Sequence, residues 1–285
     1  MTLPRVSIIT VCYNAAATIA DTIASVAAQK GVTIEHIIVD GGSDDGTQAI
    51  VQQHISLVEQ FVSEPDDGLY DAMNKGASLA KGDFVTFLNA DDIYVDSTVV
   101  SQAVEALDTH DVDSVYANLV YVEGSPLAEG SPLAEGSLSA EGSCSAESLR
   151  QRGKLVKRVW TSEPHSPGLC FTGWMPAHPT LFMRRSIFVQ LNGFDTSLRY
   201  QADLEFCARA FETLGMSSIY IPKIWVQMRL GGISTGRWGP RIKGNWESYI
   251  ALRRLGLKRD PVSFFVIKFG KKLKQFFPSL NKTHI

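Results

Sequence analysis

One recurring pattern narrows the fold most: short β-branched runs that each end in polar residues, separated by amphipathic helical stretches. Its sharpest instance is Gly82–Asp92, where the apolar run Phe84–Leu88 stops at Asn89-Ala90-Asp91-Asp92. A run of this length, rich in β-branched and aromatic residues, reads as a buried strand with carboxylates at its carboxyl end. Upstream, Val6–Val11 closes on Cys12-Tyr13-Asn14, and Ile34–Val39 on Asp40 and a glycine-rich turn. Gln60–Ser63 runs into Glu64-Pro65-Asp66-Asp67-Gly68. Helical stretches near Thr18–Gln29, Thr47–His54 and Tyr70–Ala80 lie between them. This alternation predicts an α/β fold, a Rossmann-like, mostly parallel sheet with helices on both faces.

In open sheets of that kind ligands bind outside the carboxyl ends of the strands. Four polar strand ends therefore predict one shared rim. Adjacent Asp91 and Asp92 form a hard, oxygen-rich corner suited to Mn2+ or Mg2+ beside a phosphate. The alternative is a solvated turn in which Asp92 caps a segment starting near Tyr94.

A chain of 285 residues, 45% apolar and 20% charged, suits an ordinary globular protein of one large domain or one domain with appendages. Its net charge of −3 supplies no general attraction to nucleic acid, and none is expected as a partner. The four cysteines are scattered without a C-x-x-C pair, which argues against a zinc ribbon or disulfide framework and suits a reducing compartment. The N-terminus has no signal-peptide shape and no apolar run approaches a membrane span, so a cytoplasmic body is expected.

Four segments follow from the pattern: 1–122, a ligand-binding half; 123–148, a six-residue repeat of small and acidic residues; 149–240, a second half; and 241–285, a tail. The repeat has too few strongly apolar residues to bury a core and reads as a mobile surface insertion. In the second half, Lys154–Trp160 reads as a strand, Ala202–Leu214 as a helix and Met216–Pro222 as a last strand. Asp203 and Glu205 fall in that helix's first turn, where the dipole alone favours acid. His178 stands between Pro176 and Pro179, either as a packed core histidine or as a metal or acceptor contact. Gly231 and Gly232 form either a hinge or a plain turn. The tail, Pro261 to Pro278, mixes phenylalanines with lysines. As a helix it would lie on an anionic membrane surface or dock on the domain through its aromatics.

Four ordered blocks resemble family 2 glycosyltransferases: Val6-Ser-Ile-Ile-Thr-Val-Cys-Tyr13-Asn14, Val39-Asp40-Gly-Gly-Ser-Asp-Asp-Gly46-Thr47, Glu64-Pro-Asp-Asp-Gly68-Leu-Tyr-Asp-Ala-Met-Asn74-Lys75-Gly76 and Leu88-Asn-Ala-Asp-Asp92. The resemblance covers Pro4 to Tyr116 closely and resumes from His178 to about Ser234. It implies the GT-A fold, to which the tail read above adds a C-terminal amphipathic helix, and a nucleotide-sugar donor, most often a UDP-sugar. By the same resemblance Tyr13 and Asn14 line the donor site, Asp40 meets the base or ribose, and Asp66 with Lys75 closes the pocket. Asn89, Asp91 and Asp92 meet the donor, Asp91 takes the metal with Asp92 beside it, and Asp203 takes the place of the catalytic base; His178, apart from the resemblance, is a further metal ligand or an acceptor contact. Asn89 stands where the family's D-x-D has its first Asp, which removes one negative charge. The Q-x-x-R-W block and membrane spans of processive synthases are absent.

The implied reaction is an inverting, Mn2+- or Mg2+-dependent transfer to a hydroxyl of a glycan or polyprenyl-diphosphate-linked saccharide, in bacterial surface polysaccharide assembly. It places the enzyme in the cytoplasm or at the inner membrane face. A degenerate, lipid- or partner-binding relative and a sugar nucleotidyltransferase are the alternatives. The second would need a glycine-rich basic loop that Val6–Asn14 lacks.

Overall fold

The computed structural model describes residues 5–123, 155–230 and 238–274. The repeat after Glu123, Lys154, and the Gly231-Gly232 turn lie outside the described residues.

Strands β1 (Arg5–Cys12), β2 (Thr33–Asp40), β3 (Gln60–Ser63) and β4 (Phe84–Phe87) form a parallel block in the order β3-β2-β1-β4. Helices α1 (Ile19–Ala27), α2 (Thr47–Gln53) and α3 (Leu69–Leu79) make the crossovers. The side-chain period of two splits β1 between two cores. Ile9 and Val11 pack under α3 with Tyr70 and Met73, while Val6 and Ile8 join the opposite core with Val99, Val100 and Leu107. Those last three belong to α4 (Val99–His110). Gly76 lets α3 lie close on the sheet: a Cβ there would stand 2.5 Å from Ile9 Cγ2.

Beyond β4 the sheet mixes directions. Strand β8 (Phe182–Arg184) pairs antiparallel with both β4 and β6 (Ser114–Glu123). Strand β9 (Ser218–Arg229) runs parallel to β6, and β5 (Asp92–Tyr94) antiparallel to β9. Strand β7 (Leu155–Trp160) pairs with β6 off the main path, completing nine strands. Nine of the ten β6 residues are buried, as a strand covered on both faces requires. The two halves are clasped by Asn74 on α3, whose amide donates to the Phe194 carbonyl (2.9 Å) and accepts from the Phe194 N–H (2.9 Å).

Several boundaries differ from those expected. Asp92 caps no helix; it opens β5, opposite Met228. The last strand continues seven residues past Pro222, to Arg229, because β6 and then β5 supply its partners. After α5 (Arg185–Gln190), the helix expected over Ala202–Leu214 is α-helical only as α6 (Ala202–Ala208) and widens to a π-helical turn over Arg209–Leu214. Arg209 is held there by Glu205 and the Leu191 and Gly193 carbonyls, and Glu212 by the backbone at Gly168 and Cys170.

Helices α7 (Trp238–Arg254) and α8 (Pro261–Lys274) form the tail. Phe264 is fully buried and Phe265 packs beside it on the core, so one face of α8 docks on the domain. Val262, Val266 and Phe269 are 72%, 66% and 49% exposed and leave a second apolar strip facing outward. No helix among the described residues is long and apolar enough to cross a membrane.

His36 lies inside the sheet with Nε2 3.0 Å from Thr10 Oγ1, and burial pushes its pKa from 6.5 down to about 3. The unfolded chain takes up this proton near 6.5 and the native one does not. His36 therefore supports full stability above that pH and less as the pH falls towards 3, by about 1.4 kcal/mol per unit. Urea unfolding of the His36→Gln protein between pH 7.5 and 5 should show a flatter decline than the wild type. Parallel declines would rule His36 out as the source.

Candidate active site

The parallel register aligns Cys12 with Asp40 and Asp40 with Ser63, so the loops after β1, β2 and β3 leave from one edge. There Tyr13 is 60% exposed. A methyl group placed on Gly41 would stand 2.5 Å from Asp66 Oδ2 and 3.4 Å from Tyr13 Cδ2, so the ring and the carboxylate converge over a residue that must be small. Asn14, at φ 52°, turns the chain here. Its N–H donates to Ser43 Oγ (2.8 Å) and its Oδ1 accepts from the Asp44 N–H (3.1 Å).

Asp40 sits under this cradle and not on its surface. It is fully buried; Oδ2 accepts from the Ser43 N–H (3.0 Å) and Ser63 Oγ (2.7 Å), and Oδ1 accepts from Ser43 Oγ. Asp40 thus braces the two loops that flank the cradle. Lys75 is likewise committed. Its ammonium reaches Glu64 (3.1 Å), Asp71 (3.1 Å) and the Pro65 carbonyl (3.1 Å), stapling the Asp66 loop to α3. The Gly68 N–H donates to Asp66 Oδ1 (2.8 Å), leaving Oδ2 directed over Gly41.

At the end of β4, Asn89 Nδ2 donates to Asp92 Oδ2 (3.1 Å). Asn89 Oδ1 and Asp92 Oδ1 are buried acceptors with no hydrogen bond among the described residues. Burial raises the Asp91 carboxyl above the ordinary range, with Arg229 pulling the other way. Burial and then the Asp91 charge raise Asp92 further. Two buried acceptor oxygens beside a carboxylate that burial disfavours as an anion form an all-oxygen set, which fits Mn2+ or Mg2+. Arg229 closes β9 beside this corner and is tied to Asp21 at 3.2 Å.

Asp203 lies near the start of α6 and is joined to α3 through Tyr70. Its Oδ1 accepts from Tyr70 Oη (3.1 Å) and the Leu204 N–H (2.8 Å); among the described residues nothing hydrogen-bonds to Oδ2. Tyr70 is buried on α3, directly after the Asp66–Gly68 turn. Burial and then the Asp203 charge hold its phenol well above its ordinary pKa, so it stays a donor. Burial raises the phenol of Tyr121 on β6, with the Arg158 charge opposing and the Asp92 and Asp203 charges adding to it. The Arg158 guanidinium stacks 4.8 Å from its ring centroid.

His178 is buried, stacked on Phe87 at 5.7 Å, with Nε2 lacking a partner among the described residues. Burial lowers its pKa, with Asp203 as the opposing charge, so burial favours the neutral imidazole. Glu205 is taken up by its ion pair with Arg209 (2.7 Å). The trio His165, Cys170 and Glu212 clusters elsewhere as a loop anchor: Glu212 accepts from the Gly168 and Cys170 N–H groups (2.6 and 2.9 Å) and lies 3.2 Å from His165 Nε2.

Sequence reasoning missed Tyr70, Tyr121, Arg158 and Arg229. Tyr70 lies inside a block singled out for its neighbours, and reading β9 to its full length would have put Arg229 at a strand end. Nothing local marks Tyr121 or Arg158, which the β6–β7 pairing brings to the site.

The family model described as glycosyl transferase family 2 matches residues 7–171, more than half of the chain. The chain belongs to glycosyltransferase family 2. An uncharacterized glycosyltransferase of Mycobacterium tuberculosis is 44% identical over 105 residues, 36% of this chain and 40% of that relative. A glycosyltransferase of PGL/p-HBAD biosynthesis from Mycobacterium bovis is 34% identical over 124 residues, 42% of this chain and 48% of the relative. The matches thus span less than half the length of these relatives. Among solved structures, S. aureus TarS residues 1–349 in complex with UDP-GlcNAc superposes with a TM-score of 0.63 at 17% identity, over 98% of this chain and 76% of that one. The mannosyltransferase PcManGT from Pyrobaculum calidifontis, in complex with GDP-Man and Mn2+, gives 0.55 at 18% identity, over 98% and 82%. These likenesses establish the fold of this family member as GT-A.

A Gly41→Ala protein should fold with a stability loss of no more than about 1 kcal/mol, since its Cβ meets a movable carboxylate and not backbone. Its crystal structure should show Asp66 displaced from above the turn. An unmoved Asp66 would show that the cradle tolerates a side chain.

Proposed function

We propose that this chain is an inverting, metal-dependent glycosyltransferase, hexosyl or N-acetylhexosaminyl in class, taking a UDP-sugar as donor. Two carboxylate sites carry this reading: the Asn89–Asp92 corner with its buried oxygens unpaired among the described residues, and Asp203 with one oxygen committed to Tyr70. Family membership and the donor complexes of TarS and PcManGT support it.

In this reading Tyr13 stacks on the base, Asn14 and Asp66 line the nucleotide, and Asp40 and Lys75 hold the loops that present them. Asn89, Asp91 and Asp92 would hold Mn2+ or Mg2+, which when bound supplies positive charge where the diphosphate lies. Asp203 Oδ2 takes the proton from the acceptor hydroxyl as that oxygen bonds to the anomeric carbon. The bond from that carbon to the diphosphate oxygen breaks, the nucleoside diphosphate leaves with the electron pair, and the configuration inverts. Tyr70 keeps Oδ1 occupied, so the proton goes to Oδ2. Neutral His178 flanks the acceptor and is a weaker candidate for the metal, because its electrostatic neighbour is Asp203.

The acceptor is a hydroxyl of a glycan or a polyprenyl-diphosphate-linked saccharide in cell-surface polysaccharide synthesis, which the biosynthetic names of relatives support. The enzyme would work from the cytoplasm as a peripheral protein at the inner membrane face. Residues 238–285 carry 11 Lys and Arg against 2 acidic residues, whereas residues 1–237 carry 16 against 28. A basic tail bearing an outward apolar strip suits an anionic lipid surface. The second reading, a degenerate binding subunit, is favoured only by Asn89 at the first acidic position.

UDP release from a panel of UDP-sugars with Mn2+ separates the two readings; none from any donor would favour the degenerate one. Asp91→Ala should lose turnover and Mn2+-dependent UDP binding together. Asp203→Asn should lower turnover by about 10²–10⁴-fold while UDP binds as before. Substantial turnover by Asp203→Asn would remove it as the base. For the membrane, replacing Val262, Val266 and Phe269 by serine should abolish co-sedimentation with phosphatidylglycerol vesicles. Unchanged partitioning would rule out that strip as the contact.

A further inference from the structure

The tail does more than cover the domain. Glu247, on α7, accepts hydrogen bonds from three consecutive backbone N–H groups: Arg199 on Oε1 (2.8 Å), and Tyr200 and Gln201 on Oε2 (2.7 and 2.9 Å). This segment leads straight into α6, and Asp203 stands two residues beyond Gln201. Helix α6 has no side-chain cap of its own, so the carboxylate that satisfies the preceding N–H groups comes from a different helix. Close approach is built in. Gly244 lies where a Cβ would stand 3.1 Å from Tyr200 Cβ. A second grip comes from α8, where Lys268 Nζ donates to Gln201 Oε1 (3.3 Å) and Ser248 Oγ (2.7 Å). The Lys268 stem is seated against Gly173, where a Cβ would be 2.8 Å from Lys268 Cδ.

We propose that Glu247, backed by Lys268, is a positioning residue for catalysis, holding the backbone of residues 199–201 so that Asp203 faces the acceptor. The proposal rests on Asp203 as the base. Asp203 is gripped twice: Tyr70 from α3 fixes its side chain, and Glu247 from α7 fixes the chain that carries it. The two grips arrive from parts of the sequence more than 170 residues apart, Tyr70 and Glu247. Glu247 is half-buried and borders an open cleft of about 490 Å³ shared with Trp246 and Ile250, so an isosteric change there leaves the core intact.

The test compares wild type, Asp203→Asn, Glu247→Gln, Glu247→Asp and Lys268→Met. The probes are UDP-glucose, UDP-galactose and UDP-N-acetylglucosamine with Mn2+, following UDP release, with UDP affinity measured by calorimetry. Glu247→Gln should lower kcat by about 10- to 100-fold with donor KM and UDP affinity within about twofold of wild type, the signature of a misplaced base. Glu247→Asp keeps the charge one methylene short and should recover part of the loss. Lys268→Met should show a smaller loss of the same kind, and it carries the test if Glu247→Gln fails to fold. A kcat within about twofold of wild type for Glu247→Gln, with Asp203→Asn inactive, overturns the positioning role alone. So does a loss that falls equally on UDP affinity. Full activity of Asp203→Asn, or no UDP release by the wild type, instead overturns the underlying reading and the proposal with it.

Discussion

The register of the four parallel strands β1 to β4 is the constraint on which the rest depends. A parallel sheet brings every strand's carboxyl end to the same edge, so polar residues scattered over eighty positions of sequence become neighbours. A slip of one residue would turn Ile9 and Val11 away from α3 and carry Val6 and Ile8 out of the opposite core. With both faces buried, such a slip is strongly disfavoured, and the rim inherits its precision from apolar packing beneath it.

On that rim the polar residues divide into those that face outward and those that hold them. Asp40 and Lys75 use their charges on neighbouring loops, so that the Tyr13 ring and Asp66 Oδ2 are left directed over Gly41. At the neighbouring corner the balance is reversed. Among the described residues, Asn89 and Asp92 leave buried acceptor oxygens unsatisfied, and burial works against the charge on Asp91 and Asp92. Buried acceptors without donors are costly unless a cation meets them, which is why this corner, and not Asp40, is the one we propose as the metal seat.

The facing wall is assembled by long-range hydrogen bonds. Asn74 clasps Phe194, Tyr70 holds Asp203, and Glu247 holds the segment ahead of it. Two of these partners lie on α3, the helix that also frames the Asp66 loop, so Asp203 and the Asp66 loop share one rigid support. The tail has a double character for the same reason: Phe264 and Glu247 tie it to the domain, while Val262, Val266 and Phe269 face outward.

Local sequence was enough to determine the parallel half of the sheet, its crossover helices and the polar rim. Strand period, helix period and turn residues there all agree, and each signal spans only a few neighbours. The acidic block at Asn89–Asp92 and the position of Asp203 were legible in the same way. Tertiary structure alone decided that β5 begins at Asp92, that β9 runs to Arg229, that Asp40 lies beneath the cradle, that Tyr70 meets Asp203, that Arg158 stacks on Tyr121 and that Glu247 holds residues 199–201. Each of these depends on a partner distant in sequence. Pairing, burial and long-range hydrogen bonds belong to two segments at once, and neither segment carries a trace of the other before the chain has folded.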